Sequence, residues 1–175
     1  MKTSEQIQGW FNHSEAYDFL ISKVPFGGSF VELGAWLGKS TAYLCDNSRD
    51  VIVTVVDTWK GTEEYLDSYY KLAKTEDVYQ MYLDNMGLRD RVDLRMTSKE
   101  AAKKFKRNSL DVVFIDLDHS YEAVKEDIQL WLPKVKKGGY IAGDDYHENW
   151  RGVIKAVDEL LPHATFIGDC WIYQK

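Results

Sequence analysis

The sequence is poor in features that mark secreted, membrane or nucleic-acid-binding proteins. Only two of its 175 residues are cysteines, Cys45 and Cys170, and neither has Cys-x-x-Cys or Cys/His spacing, which excludes a disulfide framework and a structural zinc site. No apolar run reaches the roughly 20 residues of a membrane span, and the N-terminus has no signal-like apolar region. We therefore expect a cytoplasmic protein without a membrane partner.

Positive charge is also in short supply. The 22 Lys and Arg residues are outnumbered by 28 Asp and Glu residues, which gives a net charge of -6 and a pI near 5.2. A nucleic-acid-binding protein normally carries a basic stripe, so this balance argues against a nucleic-acid partner. Aromatic residues are abundant at 14%, with six Trp and eleven Tyr, and this richness predicts an aromatic-lined site.

Strand-like and helix-like segments alternate along the chain after residue 28. The first 28 residues are predicted to form one amphipathic helical region that covers the rest. Five compact apolar runs predict strands, and such runs are typical of a sheet that is covered on both faces: 29–33, 51–57, 91–96, 110–116 and 139–143. Helical spacing predicts five helices, the fourth with Ser120 as its cap: 39–47, 76–87, 99–107, 121–132 and 150–161.

The end of the sequence departs from this alternation. Residues 164–167 and 170–174 read as two strands joined by a tight turn at Gly168-Asp169. Strand–helix alternation predicts parallel strands joined by right-handed crossovers. We therefore predict one α/β domain over residues 1–175, with a Rossmann-like, doubly wound, mostly parallel seven-stranded sheet and a C-terminal antiparallel hairpin.

The segment VELGAWLGKS, residues 31–40, is the most informative stretch. A strand ends at Leu33, and Gly34 and Gly38 mark a turn in which a Cβ would block the approach of a ligand. The spacing E-x-G-x-x-x-G matches neither a phosphate loop nor a dinucleotide fingerprint. Asp57 ends the next strand and can accept hydrogen bonds from a ribose. The alternative is an ordinary turn followed by a strand-end carboxylate.

Three motifs in order give the chain a resemblance to class I S-adenosylmethionine-dependent methyltransferases, from about Ser29 to the C-terminus. VELGAWLGKST resembles their first motif, VVDTWKG the second, and MTSKEAA the turn on the adenine side. The resemblance implies that S-adenosyl-L-methionine is the cofactor. It also implies that the methionine, ribose and adenine portions are bordered by Glu32, Gly34, Gly38, Ser40, Asp57, Thr58, Thr97, Ser98 and Asp116.

Acidic residues and histidines follow the fourth and fifth predicted strands, as Asp116-Leu117-Asp118-His119 and Asp144-Asp145-Tyr146-His147. The carboxyl ends of parallel strands meet at one edge, so both clusters should lie beside the cofactor turn. Crowded carboxylates repel one another unless a cation relieves them, and oxygen ligands suit Mg²⁺, Mn²⁺ or Ca²⁺. The alternative is that these residues only cap a helix or begin a turn.

The same region resembles the metal-dependent catechol, caffeoyl-CoA, sugar and macrolide O-methyltransferases. By that resemblance Asp116, Asp144 and Asp145 are the metal ligands, and Asp-Asp replaces the Asp-Asn of the catechol type. Asp116, His119 and His147 are the candidate catalytic residues, because imidazole can act as a general base near neutral pH. Each histidine could equally be a loop residue with no catalytic role.

Residues 58–75 are predicted to form a lid or substrate wall, because the segment is long and aromatic. Trp59 to Tyr70 is interpreted as a functional wall, whereas Tyr79 to Met86 is interpreted as helix packing. The leading hypothesis is metal-assisted O-methylation of a small hydroxylated acceptor, such as a sugar or a catechol-like diol. The alternatives are metal-independent N- or O-methylation with a histidine base, and a non-catalytic cofactor-binding module. The N-terminal Trp10, Phe11 and Tyr17 could cover the same pocket or form a homodimer contact, and the sequence does not decide between these roles.

Overall fold

The computed structural model describes residues 2–61 and 68–175, without the side chains of residues 68–71. Seven strands form one sheet in the order β3-β2-β1-β4-β5-β7-β6. The first five are parallel, and β7 runs antiparallel to both β5 and β6. The strands are β1 (Ser29–Leu33), β2 (Ile52–Asp57), β3 (Val92–Arg95), β4 (Leu110–Ile115), β5 (Val135–Gly143), β6 (Thr165–Ile167) and β7 (Cys170–Gln174).

Seven α-helices and a short 3₁₀-helix, Ser4–Gln6, accompany the sheet in the described part of the chain. They are α1 (Ser14–Lys23), α2 (Lys39–Asn47), α3 (Ser68–Thr75), α4 (Val78–Met86), α5 (Ser98–Ala102), α6 (Tyr121–Trp131) and α7 (Arg151–Leu160). Side-chain caps fix three of their starts. Asp77, Thr97 and the predicted Ser120 accept hydrogen bonds from the backbone N–H groups of the first turns of α4, α5 and α6.

Both faces of the sheet are covered, as the apolar strands predicted. One face packs against α1, α2 and α4 around Tyr17, Leu44 and Tyr82, and the other packs against α5, α6 and α7 around Ile128 and Trp131. Every residue of β4 is buried. The Rossmann-like sheet with its antiparallel hairpin is confirmed. No helix among the described residues is long and apolar enough to span a membrane.

Three predicted segments differ from the structure. The N-terminal region is not one helical region, because Gly9 has a φ of 125° that a helix cannot contain, and only Ser14–Lys23 forms an α-helix. Helix α5 ends at Ala102 instead of continuing to Arg107, since the next amides bond three residues back in a tighter turn. Strand β5 begins at Val135, four residues earlier than predicted, because Val135 pairs with Leu110 before an irregularity in the ladder.

The chain order places a crevice beside β1 and β4. The parallel strands β1, β2 and β3 run to one side of the sheet in sequence, and the chain then returns to β4 on the other side of β1. In open α/β sheets, ligands bind outside the carboxyl ends of the strands at this point of reversal.

Candidate functional site

A cavity of about 330 Å³ opens at the carboxyl ends of the strands. This volume falls in the range of small-molecule sites. Seven residues predicted from the sequence line it or project into it: Gly34, Ser40, Asp57, Thr58, Asp116, His119 and Asp145. Other lining residues were not predicted as site residues, and they include Gln8, Gly9, Trp10, Trp36, Lys39, Leu117 and Trp150.

Gly34 forms the floor of the cavity where β1 meets β4. Its φ is 94°, and an added Cβ would lie 1.7 Å from the carbonyl oxygen of Asp116. No side chain fits at that distance. The glycine therefore lets the two strand ends approach and leaves backbone facing the cavity.

Asp57 holds the turn that follows Gly34. Its Oδ2 accepts hydrogen bonds from the backbone N–H groups of Ala35 and Trp36, at 2.9 and 3.0 Å, and its Oδ1 accepts one from Trp59 at 2.7 Å. A carboxylate has about four lone-pair sites, so Asp57 retains capacity for ligand hydroxyls. The residue predicted to hold a ribose therefore also shapes the loop around it.

Glu32 lies beneath the cavity and does not line it. Its carboxylate is fully buried and accepts hydrogen bonds from Tyr17 of α1, at 2.7 Å, and from Thr41 of α2. Burial raises the pKa of Glu32 and the hydrogen bonds lower it. Burial has the larger effect, and the resulting pKa is about 7. Glu32 is thus positioned to join two helices to β1.

Stability should fall as pH rises through the pKa of Glu32. The pKa of Glu32 in the folded state is about 7, above its ordinary value of 4.5. The stability that the protonated Glu32 carboxyl contributes is therefore fully present below pH 4.5 and is lost as pH rises through 7. The loss corresponds to about 3 kcal/mol of unfolding free energy. Urea denaturation between pH 4.5 and 8 should show that Glu32→Gln flattens this dependence, with exposed Glu122→Gln as the control; an unchanged slope in Glu32→Gln would contradict the assignment.

Three other predicted cofactor residues make structural contacts and do not line the cavity. Gly38 begins α2 with a φ of 89°, and a Cβ there would lie 2.8 Å from Met86 Sδ, so it permits contact between α2 and α4. Thr97 caps α5 through Glu100. The Ser98 hydroxyl donates to the Asp127 carboxylate and accepts from the Trp131 indole. All three lie outside the cavity lining.

Asp116, His119 and Asp145 form an acidic cluster on the cavity wall. The His119 Nε2 atom lies 2.6 Å from Asp145 Oδ2 and 3.8 Å from Asp116 Oδ1. Burial alone would lower the pKa of His119, but hydrogen bonds to both carboxylates raise it to about 10. Its ring stacks on Trp150 with centroids 4.4 Å apart. Asp145 has a φ of 64°, a strained conformation that is typical of functional positions.

Asp144 points away from its neighbour Asp145. Its Oδ2 lies 2.8 Å from His13 Nδ1, and its Oδ1 accepts a hydrogen bond from Cys170 Sγ at 3.4 Å. Burial would raise the pKa of Asp144, but the His13 hydrogen bond lowers it below its ordinary value. The structure therefore brings two of the three predicted metal ligands to the cavity wall and pairs the third with the N-terminal segment.

His147 and Trp59 do not line the cavity. His147 Nδ1 accepts a hydrogen bond from the backbone of Asn149 at 3.2 Å. Trp59 is only 3% exposed and packs on Tyr79 and Tyr82, so the interpretation of Trp59 as a substrate wall is wrong. The predicted packing role of Tyr82 is confirmed, since it is fully buried. Residues 62–67 of the predicted wall lie outside the described residues.

The N-terminal segment forms one wall of the cavity, which is one of the two roles that the sequence left open for Trp10. Gln8, Gly9 and Trp10 line the cavity, and the Lys39 ammonium donates to the Gly9 carbonyl oxygen at 3.1 Å. Trp10 remains 61% exposed. Sequence patterns do not decide this placement, because it depends on where the segment crosses α2.

A family described as a methyltransferase domain matches residues 31–146, which include the cavity floor and the acidic cluster. An uncharacterized protein of Acanthamoeba polyphaga mimivirus is 43% identical over 56 residues, which cover 31% of this chain. The chain spans 25% of that relative's length.

Solved structures show the same fold. The O-methyltransferase NovP has a TM-score of 0.68 at 23% identity, covering 92% of this chain and 78% of its own. The TDP-rhamnose 3'-O-methyltransferase CalS11 has a TM-score of 0.59 at 16% identity, covering 91% of this chain and 76% of its own.

Proposed function

The chain belongs to this methyltransferase domain family, and we propose that it transfers the methyl group of S-adenosylmethionine to a hydroxyl of a small acceptor, with the help of a divalent cation. One observation carries the proposal. The glycine turn at Gly34, the strand-end carboxylate of Asp57 and the cluster around Asp145 all face one cavity. Donor, acceptor and cation could therefore meet there.

The cofactor fits the side of the cavity formed by β1 and β2. The backbone at Gly34 and the Ser40 side chain would border its methionine portion, and Asp57 and Thr58 would border its ribose. This arrangement would direct the sulfonium methyl towards Asp116 at the end of β4. Glu32 would act from beneath by holding α1 and α2 against β1.

The residues at the end of β4 and β5 fit a hard divalent cation. One ligand atom from each of Asp116, His119 and Asp145 lies within 4.8 Å of the others. Burial raises the pKa of Asp116, and the charges of Asp144 and Asp145 raise it further, a repulsion that a cation would relieve. Two carboxylates with one imidazole suit Mg²⁺ or Mn²⁺. We assign Asp116 and Asp145 as the carboxylate ligands of the cation and His119 as its third ligand.

Little bond-breaking chemistry is required of the protein, because the sulfonium is an activated methyl donor. A bound cation would supply a Lewis acid that lowers the pKa of the acceptor hydroxyl. The cavity would align the acceptor oxygen with the methyl carbon. The oxygen–carbon bond would form as the carbon–sulfur bond breaks, S-adenosylhomocysteine would leave, and the acidified hydroxyl would release its proton to solvent, since Asp116 and Asp145 would be occupied by the cation.

One alternative is a metal-independent transfer in which His119, which contacts Asp145, acts as the base. To act as the base, His119 must take the proton from the hydroxyl of the methyl acceptor. The carboxylates of Asp116 and Asp145 instead favour the protonated imidazolium, which has no free lone pair. A cation would displace that proton on binding. The metal-assisted reaction is therefore the better supported of the two.

The acceptor is proposed to be a hydroxylated ring, either a sugar or a catechol-like diol. Trp10, Trp36 and Trp150 line the cavity, and flat indole faces match the flat faces of such rings. NovP and CalS11 are both O-methyltransferases, and CalS11 acts on TDP-rhamnose. These likenesses support the choice of oxygen as the acceptor atom.

Transfer of a labelled methyl group tests the proposal. The protein is incubated with labelled S-adenosylmethionine and a panel of sugars and catechols, with Mg²⁺, with Mn²⁺ or with EDTA. We expect label on at least one hydroxylated acceptor in the presence of metal, and a loss of at least about 100-fold with EDTA. Equal transfer with EDTA would contradict metal assistance, and absence of cofactor binding would contradict the whole proposal.

A further inference from the structure

A second groove lies beside the cofactor cavity. It has a volume of about 730 Å³, and Thr58 lines both spaces, so the groove continues from the end of the cavity where Asp57 lies. Its walls come from two separated segments of the chain, residues 58–60 and 95–104. They consist of Thr58, Lys60, Arg95, Met96, Thr97, Glu100, Lys103 and Lys104.

The groove is strongly cationic although the protein carries a net charge of -6. Four of its eight lining residues are Lys or Arg, and Glu100 is its only carboxylate among the described residues. Glu100 is already occupied, since it accepts hydrogen bonds from the backbone N–H and hydroxyl of Thr97. Those bonds, and then the charges of Lys103 and Lys60, lower the pKa of Glu100.

The cations of the groove form no ion pair with a carboxylate in the described part of the chain. Lys60, Lys103 and Lys104 take part in none of its ion pairs, and neither does Arg95, whose guanidinium lies 4.6 Å from the centre of the Tyr79 ring. Cations gathered around one concave surface repel each other and are stabilised by an anion between them.

We propose that this groove binds the phosphate groups of a small ligand, which carries about the charge of a diphosphate, next to the bound cofactor. A diphosphate offers acceptor oxygens in two directions, which the cations of Arg95, Lys103 and Lys104 around the groove can contact. The volume is that of a small-molecule site. The negative charge of the whole protein opposes a long nucleic-acid strand. This site is independent of methyl transfer.

Titration calorimetry with inorganic pyrophosphate and with UDP tests the groove. The native chain is compared with Lys103→Gln/Lys104→Gln and with a control that loses the same charge nearby, Lys106→Gln/Arg107→Gln, whose residues do not line the groove. We expect both probes to bind the native chain. The groove variant should bind at least about tenfold more weakly, because it loses two charge-assisted contacts, and the control should stay within about twofold.

Three results would overturn the proposal. They are no binding of either probe at low salt, equal weakening in the control, or tighter binding of a short single-stranded oligonucleotide than of UDP. Circular dichroism checks that both variants fold. S-adenosylmethionine binding is measured on the same samples, so a failure at the groove with intact cofactor binding would leave the proposed methyl transfer standing.

Discussion

Replacing Asp145 with asparagine is expected to lower the rate of methyl transfer by about 1000-fold while S-adenosylmethionine binding stays within about threefold. Asp145 is one of two carboxylates assigned to the cation and lies 2.6 Å from His119. Losing a charge from a partly buried cluster costs about 4 kcal/mol, which corresponds to a rate factor near 1000. Asparagine is chosen because it tolerates the φ of 64° at this position better than most residues.

Asp144→Asn is the matched control, since it makes the same change one residue earlier. Asp144 contacts His13 and Cys170 and does not line the cavity. Its replacement should loosen the N-terminal segment and lower stability, yet leave the affinity for Mn²⁺ within about tenfold of the native value. A greater loss of Mn²⁺ affinity in Asp144→Asn than in Asp145→Asn would show that Asp144 is a metal ligand and would contradict the assignment made from the structure.

Asp57→Asn is expected to weaken S-adenosylmethionine binding by at least about 100-fold. The carboxylate accepts three backbone hydrogen bonds, from Ala35, Trp36 and Trp59, and an amide would present an NH₂ group to at least one of these donors. Hydrogen bonds to a charged group contribute about 1.5–3 kcal/mol each, so one such loss and a weakened ribose contact account for the factor.

Calorimetry with S-adenosylmethionine measures this effect. Asp50→Asn serves as the control. Asp50 lies just before β2, at the opposite end of that strand from Asp57, and it does not line the cavity. We expect the control to bind the cofactor normally. Cofactor affinity that survives Asp57→Asn unchanged would place the ribose elsewhere and remove the basis for the orientation proposed above.

The sheet could be predicted from the sequence because its signals are local. The apolar run of β4 is buried at every position, and Ser120 caps α6 through a contact three residues away. The N-terminal region was harder, since its path depends on long-range contacts. Lys39 holds Gly9, and His13 contacts Asp144 across 131 positions of sequence. No periodicity reports such pairs.

Residues of the candidate site could be predicted from the sequence where they directly follow strands. Gly34, Asp57, Asp116 and Asp145 all lie at or just beyond strand ends, and topology alone brings those ends to one edge. Side-chain direction could not be predicted in the same way. Ser98 turns towards Asp127 because a buried carboxylate needs a donor there, although its sequence motif indicated the cofactor.

Asp144 and Asp145 illustrate the same limit at adjacent positions. Consecutive aspartates read identically in the sequence, but the left-handed backbone at Asp145 sends the two carboxylates to different partners. One contacts His13 beneath the N-terminal segment, and the other contacts His119 on the cavity wall. Only the three-dimensional arrangement separates a positioning role from a ligand role.

A crystal structure with S-adenosylhomocysteine and Mn²⁺ measures the central claim most directly. We predict ribose hydroxyls within hydrogen-bonding distance of Asp57 and an anomalous manganese peak bound by Asp116 and Asp145. Cofactor density away from Asp57, or a manganese ion bound without either of those carboxylates, would contradict the account.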